Sequence, residues 1–275
     1  MQKSREKRKI AIARSPKKDN KGIISLARCY SFKNAGAHNE RDRKNQKLNG
    51  IIFIPYPAIY AENQNGDCLF MSAIVVAGGI SKRFGQDKGL VRLGEKPLVL
   101  HVLDKLAGVA NEVFVAVNSE RQKGKFVKAI KQKACIIVDR THVQTPLAGA
   151  LAGFENVKNK YTLLLACDTP FLSPEILKFL LDVCVNKTAA IPRWPNSNIE
   201  PLQATYHAKA AAQAAKTALE EGKLDMRSMI ANMQNIRYIS TKVLQQLDPK
   251  LITFFNINTP NDLREAETMT KHYAY

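Results

Sequence analysis

The chain is short of paired cysteines, long apolar runs and aromatic side chains. Its five cysteines, Cys29, Cys68, Cys135, Cys167 and Cys184, never fall as CxxC, and no histidine clusters near them. That spacing argues against a zinc ribbon or a disulfide framework. Cys135, Cys167 and Cys184 lie in apolar runs and read as buried free thiols, which suits a reducing, cytoplasmic setting. No stretch approaches the roughly 18–20 apolar residues of a membrane span. The nearest, Ile51 to Ala61, is interrupted by Pro55 and Pro57. The N-terminus is basic but has no continuous apolar stretch of the kind a secretory signal needs. Aromatic residues make up only 7% of the chain, with Trp194 the single tryptophan. A formal charge of +18 prompts a search for nucleic acid. No basic stripe interleaved with aromatics appears, so nucleic-acid binding is not expected.

The charge is unevenly spread. Residues 1–70 hold 15 Lys and Arg against 6 Asp and Glu, whereas the much longer remainder holds 27 against 18. Residues 1–70 show no sustained periodicity, which leaves two readings open: a disordered basic leader, or a segment absent from the native product with Met71 as the true start. Met71 then opens a different regime, residues 71–275, with the apolar strand Ser72-Ala73-Ile74-Val75-Val76. Strand patterns at 112–118, 135–138 and 161–167 alternate with helical patterns at 98–110, 120–132, 146–157 and 174–185. Further strands are expected at 189–192, 202–206, 236–240 and 253–257, and further helices at 208–221, 225–234 and after Thr259. The continuous apolar run Tyr161 to Cys167 marks a strand buried on both faces. The fold class is therefore α/β, a mostly parallel sheet with helices on both faces. In such sheets ligands bind beyond the carboxyl ends of the strands.

The loop after the first strand reads Ala77-Gly78-Gly79-Ile80-Ser81-Lys82-Arg83-Phe84-Gly85-Gln86-Asp87-Lys88. It is neither a Walker A loop nor GxGxxG. Adjacent glycines let the backbone approach a ligand and can present successive N–H groups to phosphate oxygens. Arg83 and Lys88 bring full positive charge to the same loop, one as a bidentate fork and one as a point charge. A tight turn with solvated charges would explain the glycines alone. It does not explain Ser-x-Arg-x-Gly-x-Asp-Lys directly after a buried strand.

This loop, with Gly94-Glu95-Lys96-Pro97-Leu98 behind it, resembles the signature of the nucleotidyltransferase family that includes molybdenum cofactor guanylyltransferases. The resemblance extends through Pro146-Leu147-Ala148-Gly149, Cys167-Asp168-Thr169-Pro170-Phe171-Leu172 and Glu200-Pro201 to Asn258-Thr259-Pro260, and it does not cover residues 1–70. It implies a Rossmann-like fold of the nucleotide-diphospho-sugar-transferase type. Asp168 follows a buried strand, a position that alone leaves metal binding and turn capping level. The resemblance implies that Asp168 holds Mg²⁺, with Asn258 as a weaker second candidate, and that Arg83, Lys88 and Asp168 carry catalysis. It further implies GTP contacts at Val76, Ala77, Gly78, Gly79, Lys88, Asn118, Asp139 and Asp168. Asn256 and Asn258 alternate on the expected 253–257 strand and its flank, and so would face one side. Trp194 reads as core cover rather than a stacking platform.

The activity implied by the resemblance is transfer of GMP from GTP to a molybdopterin-type cofactor. Transient contact with cofactor-synthesis proteins or molybdoenzymes would follow from it. A CTP-dependent relative with another phosphorylated acceptor shares the same phosphate machinery. A non-catalytic basic protein of the same fold fits less well, because Arg83, Lys88 and Asp168 are all present.

Overall fold

The structure, a computed structural model, describes residues 71–273 apart from Gly79, Lys82, Gln132 and His142. The expected leader, the apolar island at 51–61, Cys29 and Cys68 lie outside the described residues. β1 (Ser72–Val76) leads into two small hairpins, β2 (Ile80–Ser81) with β3 (Gln86–Asp87) and β4 (Arg92–Leu93) with β5 (Lys96–Pro97). A 3₁₀ turn at Lys88–Leu90 separates them. Helices and strands then alternate through α1 (Leu98–Leu106), β6 (Glu112–Val117), α2 (Glu120–Ile130), β7 (Cys135–Val138), α3 (Pro146–Asn156), β8 (Tyr161–Ala166) and α4 (Pro174–Cys184). There follow β9 (Ala189–Arg193), β10 (Gln203–His207), α5 (Ala208–Glu220), α6 (Met226–Ala231), β11 (Ile236–Ser240), α7 (Thr241–Leu244), a 3₁₀ turn at Ile252–Phe254, and α8 (Pro260–Tyr273).

Seven strands form one sheet in the order β11-β9-β10-β8-β1-β6-β7. Only β10 runs against its neighbours; β8, β1, β6 and β7 are parallel and adjacent. Their carboxyl ends therefore lie side by side on one rim. Alternation along β1 divides the core. Ala73 and Val75 face α1, α2 and α4, whereas Ile74 and Val76 face α3 and, with β10, the small-residue stripe of α5. Leu163, Leu164 and Leu165 are wholly buried because β8 is covered on both faces, each such side chain being worth about 1.5–3 kcal/mol. Gly153 on α3 packs directly on Ile74, where a Cβ would stand 2.4 Å from Cγ2.

The helix starts follow local chemistry. Ser119, Thr145 and Ser173 cap α2, α3 and α4, and Pro146 and Pro174 occupy first-turn positions where no N–H is required. The last helix starts at a reciprocal box: Asp262 N–H donates to Thr259 Oγ1 at 3.2 Å, and Thr259 N–H donates to Asp262 Oδ2 at 2.8 Å.

Two expectations need correction. No strand forms at 253–257. Leu251 adopts a left-handed conformation (φ 51), a 3₁₀ turn follows, and the backbone finds partners outside any ladder. Thr253 N–H donates to Asp248 Oδ2 at 2.8 Å and Ile257 N–H donates to the Asp168 carbonyl at 3.0 Å. Cys135 is exposed rather than buried, because β7 is an edge strand; Cys167 and Cys184 are buried as expected. Among the described residues no helix is long and apolar enough to cross a membrane.

Candidate active site

Gly78, Asn118, Asp139 and Asp168 follow β1, β6, β7 and β8 respectively, so the sheet alone brings four of the expected residues to one rim. Gly78 passes beneath Asn118 so closely that a Cβ would stand 1.8 Å from Asn118 Oδ1. A side chain at this position would have to displace the Asn118 carboxamide. At Val76 and Ala77 the backbone is already engaged: Val76 C=O accepts from Cys167 N–H at 3.1 Å, and Ala77 N–H donates to Ala116 C=O at 2.8 Å. These bonds fix the line along which the loop leaves β1. Gly79 lies outside the described residues.

Lys88 is the convergence point. Its ammonium pairs with Asp168 Oδ2 and donates to Asn258 Oδ1 at 2.6 Å, joining the first loop, the end of β8 and the segment before α8. The Asp168 peptide is also held, since its carbonyl accepts from Ile257 N–H. Beneath this junction Phe84, Val91, Leu93 and Phe171 pack with Phe255, Ile257 and Leu263. Asn258 thus meets Lys88 at this junction, while Asn256 does not share its direction: Asn256 Nδ2 donates to Phe254 C=O at 3.2 Å.

Three buried carboxylates lie near this rim, and their partners distinguish them. Asp87 has both oxygens engaged, by Gln122 Nε2 at 3.0 Å and Lys125 Nζ at 2.7 Å. Asp139 is 5% exposed, and its Oδ1 accepts from the Thr141 N–H and hydroxyl, both at 2.7 Å. Asp168, 7% exposed, has Oδ2 on Lys88 and a buried Oδ1 with no hydrogen-bond partner. A buried, unpaired carboxylate oxygen is costly unless something positive meets it. A hard divalent cation such as Mg²⁺, which takes one or two carboxylates together with waters and phosphates, fits Asp168 with the Asn258 amide oxygen beside it. Among the described residues no three His, Cys, Asp or Glu side chains converge, which is the grouping a zinc site would need.

Arg83, on the β2–β3 turn, is exposed and reaches neither Asp168 nor Asn258. Its charge falls instead on Asp262. That carboxyl is pushed up by partial desolvation but is carried below the usual range by N–H donation from Asn258, by Thr259 and by Arg83. Cys167, next to Asp168, is no nucleophile, because burial and then the Asp168 charge push its thiol far up. Trp194 packs edge-on against Phe254 and donates to Glu200 Oε1 at 2.6 Å, so it covers the core as expected. Sequence reasoning missed Asp87, Gln122 and Lys125 as a unit. The available signal was Ser119-x-x-Gln122 directly after Asn118.

A doubly covered, mostly parallel sheet whose rim gathers a glycine loop, a lysine and a metal-type carboxylate is the layout of a Rossmann-like nucleotide-handling domain. Comparisons with known proteins make the assignment narrower. The family model for the MobA-like NTP transferase domain matches residues 73–236, and the chain belongs to that family. A probable molybdenum cofactor guanylyltransferase of Methanosarcina mazei is 33% identical over 208 residues, covering 74% of this chain and 91% of the relative. A probable molybdenum cofactor guanylyltransferase of Pyrococcus furiosus is 33% identical over 202 residues, covering 72% and 97%. Among solved structures, molybdopterin-guanine dinucleotide biosynthesis protein A from Archaeoglobus fulgidus aligns with a TM-score of 0.64 at 29% identity, covering 73% of this chain and 99% of that one.

Proposed function

We propose that this chain transfers GMP from GTP to the terminal phosphate of a molybdopterin-type cofactor, releasing pyrophosphate and leaving a guanine dinucleotide. The observation that carries the reading is Lys88 bridging Asp168 and Asn258 at the end of β8, beside the Gly78–Asn118 contact. The relatives named as guanylyltransferases support the choice of nucleotide and acceptor.

The reaction needs positioning and charge neutralisation, with no covalent intermediate on the protein. An acceptor phosphate oxygen forms a bond to the α-phosphorus of GTP as the bond to the bridging oxygen breaks and pyrophosphate leaves. The backbone at Gly78 and Gly79 and the Lys88 ammonium cradle the triphosphate, and Arg83 closes over it from the β2–β3 turn. Asn118 and Asp139 flank the nucleoside. Asp168 and Asn258 would hold Mg²⁺, which supplies neutralisation of charge on the reacting phosphates. Cys167 and Cys184, buried as free thiols, support a cytosolic setting. Passing on a guanine dinucleotide product would call for transient contact with proteins that make or use the cofactor.

Pyrophosphate release from each of the four NTPs, with molybdopterin and with other phosphorylated acceptors, tests the reading. GTP with the pterin acceptor is expected to dominate. Equal or better turnover with CTP, or with a non-pterin acceptor, would replace it.

A further inference from the structure

Gln122 lies on the first turn of α2 and is 5% exposed. Its carboxamide makes three hydrogen bonds that join two loops. Oε1 accepts from Asn118 N–H at 2.8 Å, while Nε2 donates to Ala77 C=O at 3.2 Å and to Asp87 Oδ1 at 3.0 Å. A helix-capping role would use only one end of this side chain. Ser119 already accepts from Gln122 N–H at 3.2 Å, and Oε1 completes the cap by reaching back to Asn118. The two Nε2 bonds are surplus to capping, and both run to the phosphate loop.

The same helix face makes two further contacts with that loop. Lys125, three residues on, donates to Asp87 Oδ2 at 2.7 Å. Phe126, four residues on, lies against Gly89, where a Cβ would stand 2.9 Å from Cζ. Positions i, i+3 and i+4 share one side of a helix, so α2 presents Gln122, Lys125 and Phe126 together. They grip Asp87 and Gly89, the residues on either side of Lys88. The Asp87 carboxylate is already satisfied and neutralised without any ligand, so it acts as an anchor rather than a group awaiting substrate.

We infer that the Asp87–Gln122–Lys125 junction is a latch that positions Lys88, and that Gln122 couples the nucleoside side of the site, at Asn118 and Gly78, to the phosphate and metal side, at Lys88 and Asp168. Gln122 is a positioning residue that touches no substrate. This inference rests on the guanylyltransferase reading for its assay but not for its geometry.

Gln122→Glu separates the two roles. The substituted side chain can still accept from Asn118 N–H and preserve the cap. Its second oxygen then faces the Asp87 carboxylate and Ala77 C=O, so the donor function is replaced by repulsion. We expect kcat to fall on the order of 10- to 100-fold, as small misplacements of a reacting centre do. KM for GTP should rise as well, by less than in Lys88→Ala, since Lys88 is displaced rather than lost. On a Lys88→Ala background the same substitution should cost nothing further, because residues acting through one group are non-additive. An unchanged kcat, or an equal loss on the Lys88→Ala background, would overturn the latch. Should the Gln122→Glu chain lack a cooperative melt, Lys125→Met carries the test from a half-exposed position. It should show a smaller drop in kcat with the same non-additivity, and wild-type kcat would overturn the proposal. A wild-type chain inactive with GTP and pterin acceptor overturns the substrate reading instead. In that case a crystal structure of Gln122→Glu decides: Lys88 still bonded to Asn258 would refute the latch whatever the substrate.

Discussion

At the scale of single residues, what separates the carboxylates of this rim is whether a buried oxygen is left without a partner. Asp87 and Asp139 have partners within the protein, whereas Asp168 keeps one buried oxygen unpaired. Asp168→Ala is therefore expected to abolish GMP transfer, a loss of several kcal/mol of transition-state stabilisation, while thermal melting stays near wild type. Turnover close to wild type at saturating Mg²⁺ would remove Asp168 from the proposed metal site. Lys88→Ala should weaken GTP binding and slow turnover together, because in the proposed reaction its charge would meet phosphates in both ground and transition states. Lys88→Arg should recover only part of this, since a planar fork does not replace a compact ammonium between Asp168 and Asn258. Steady-state kinetics across a GTP series reads both effects. The thiols give an independent check on burial. Burial pushes Cys184 up to about 12 and Cys167 higher still, while Cys135 is exposed on an edge strand. Iodoacetamide at mildly alkaline pH followed by peptide mapping should label Cys135 and spare the other two until denaturant is added. Early labelling of Cys167 would contradict the packing around Asp168.

Elements were legible wherever local chemistry and burial agreed. The helical patterns that form α1 to α4 and the apolar run of β8 were legible in the sequence, because a periodic face or a doubly buried strand needs only nearby residues. The segment Thr253 to Ile257 was misread because its aromatic and β-branched residues carry strand propensity with no indication of their backbone partners. Those partners, Asp248 and the Asp168 carbonyl, are distant or side-chain groups. The latch on α2 stayed hidden for the same reason: Gln122 has one partner four residues away, and the others lie 35 and 45 residues away. At α8 the capping box offers a direct test. Thr259→Ala should cost about 1 kcal/mol of stability in chemical denaturation. The Asp262 carboxyl has a folded pKa below its unfolded value, so its contribution is complete above the unfolded value and is lost as pH falls through the folded one. A carboxyl chemical-shift titration should place its midpoint below that of an ordinary aspartate. A midpoint at or above the ordinary value would mean that the box is open.

At the scale of the whole molecule, β1 lies mid-sheet, paired in register with β6 and β8 from Ser72 onward, and both faces of the sheet are covered by helices from residues 98–231. A chain beginning at Met71 is expected to melt within a few degrees of the full chain and to transfer GMP at a comparable rate. Insolubility of the shorter chain, or a fall of many degrees, would show that residues 1–70 contribute to the fold. The site itself is drawn from far apart in the sequence, with Lys88 and Asn258 separated by 170 positions. That separation has a consequence during synthesis. Domains form progressively as the chain leaves the ribosome, earlier segments first. The β1–α4 half can assemble with Lys88 already facing Asp168, yet the third member of the triangle is still untranslated. A nascent or prematurely terminated chain would thus hold a sheet and a phosphate loop without Asn258 or the Ile257 strut behind Asp168. On the proposed assignment, the site is complete only after residue 258 has left the ribosome and folded back onto Lys88.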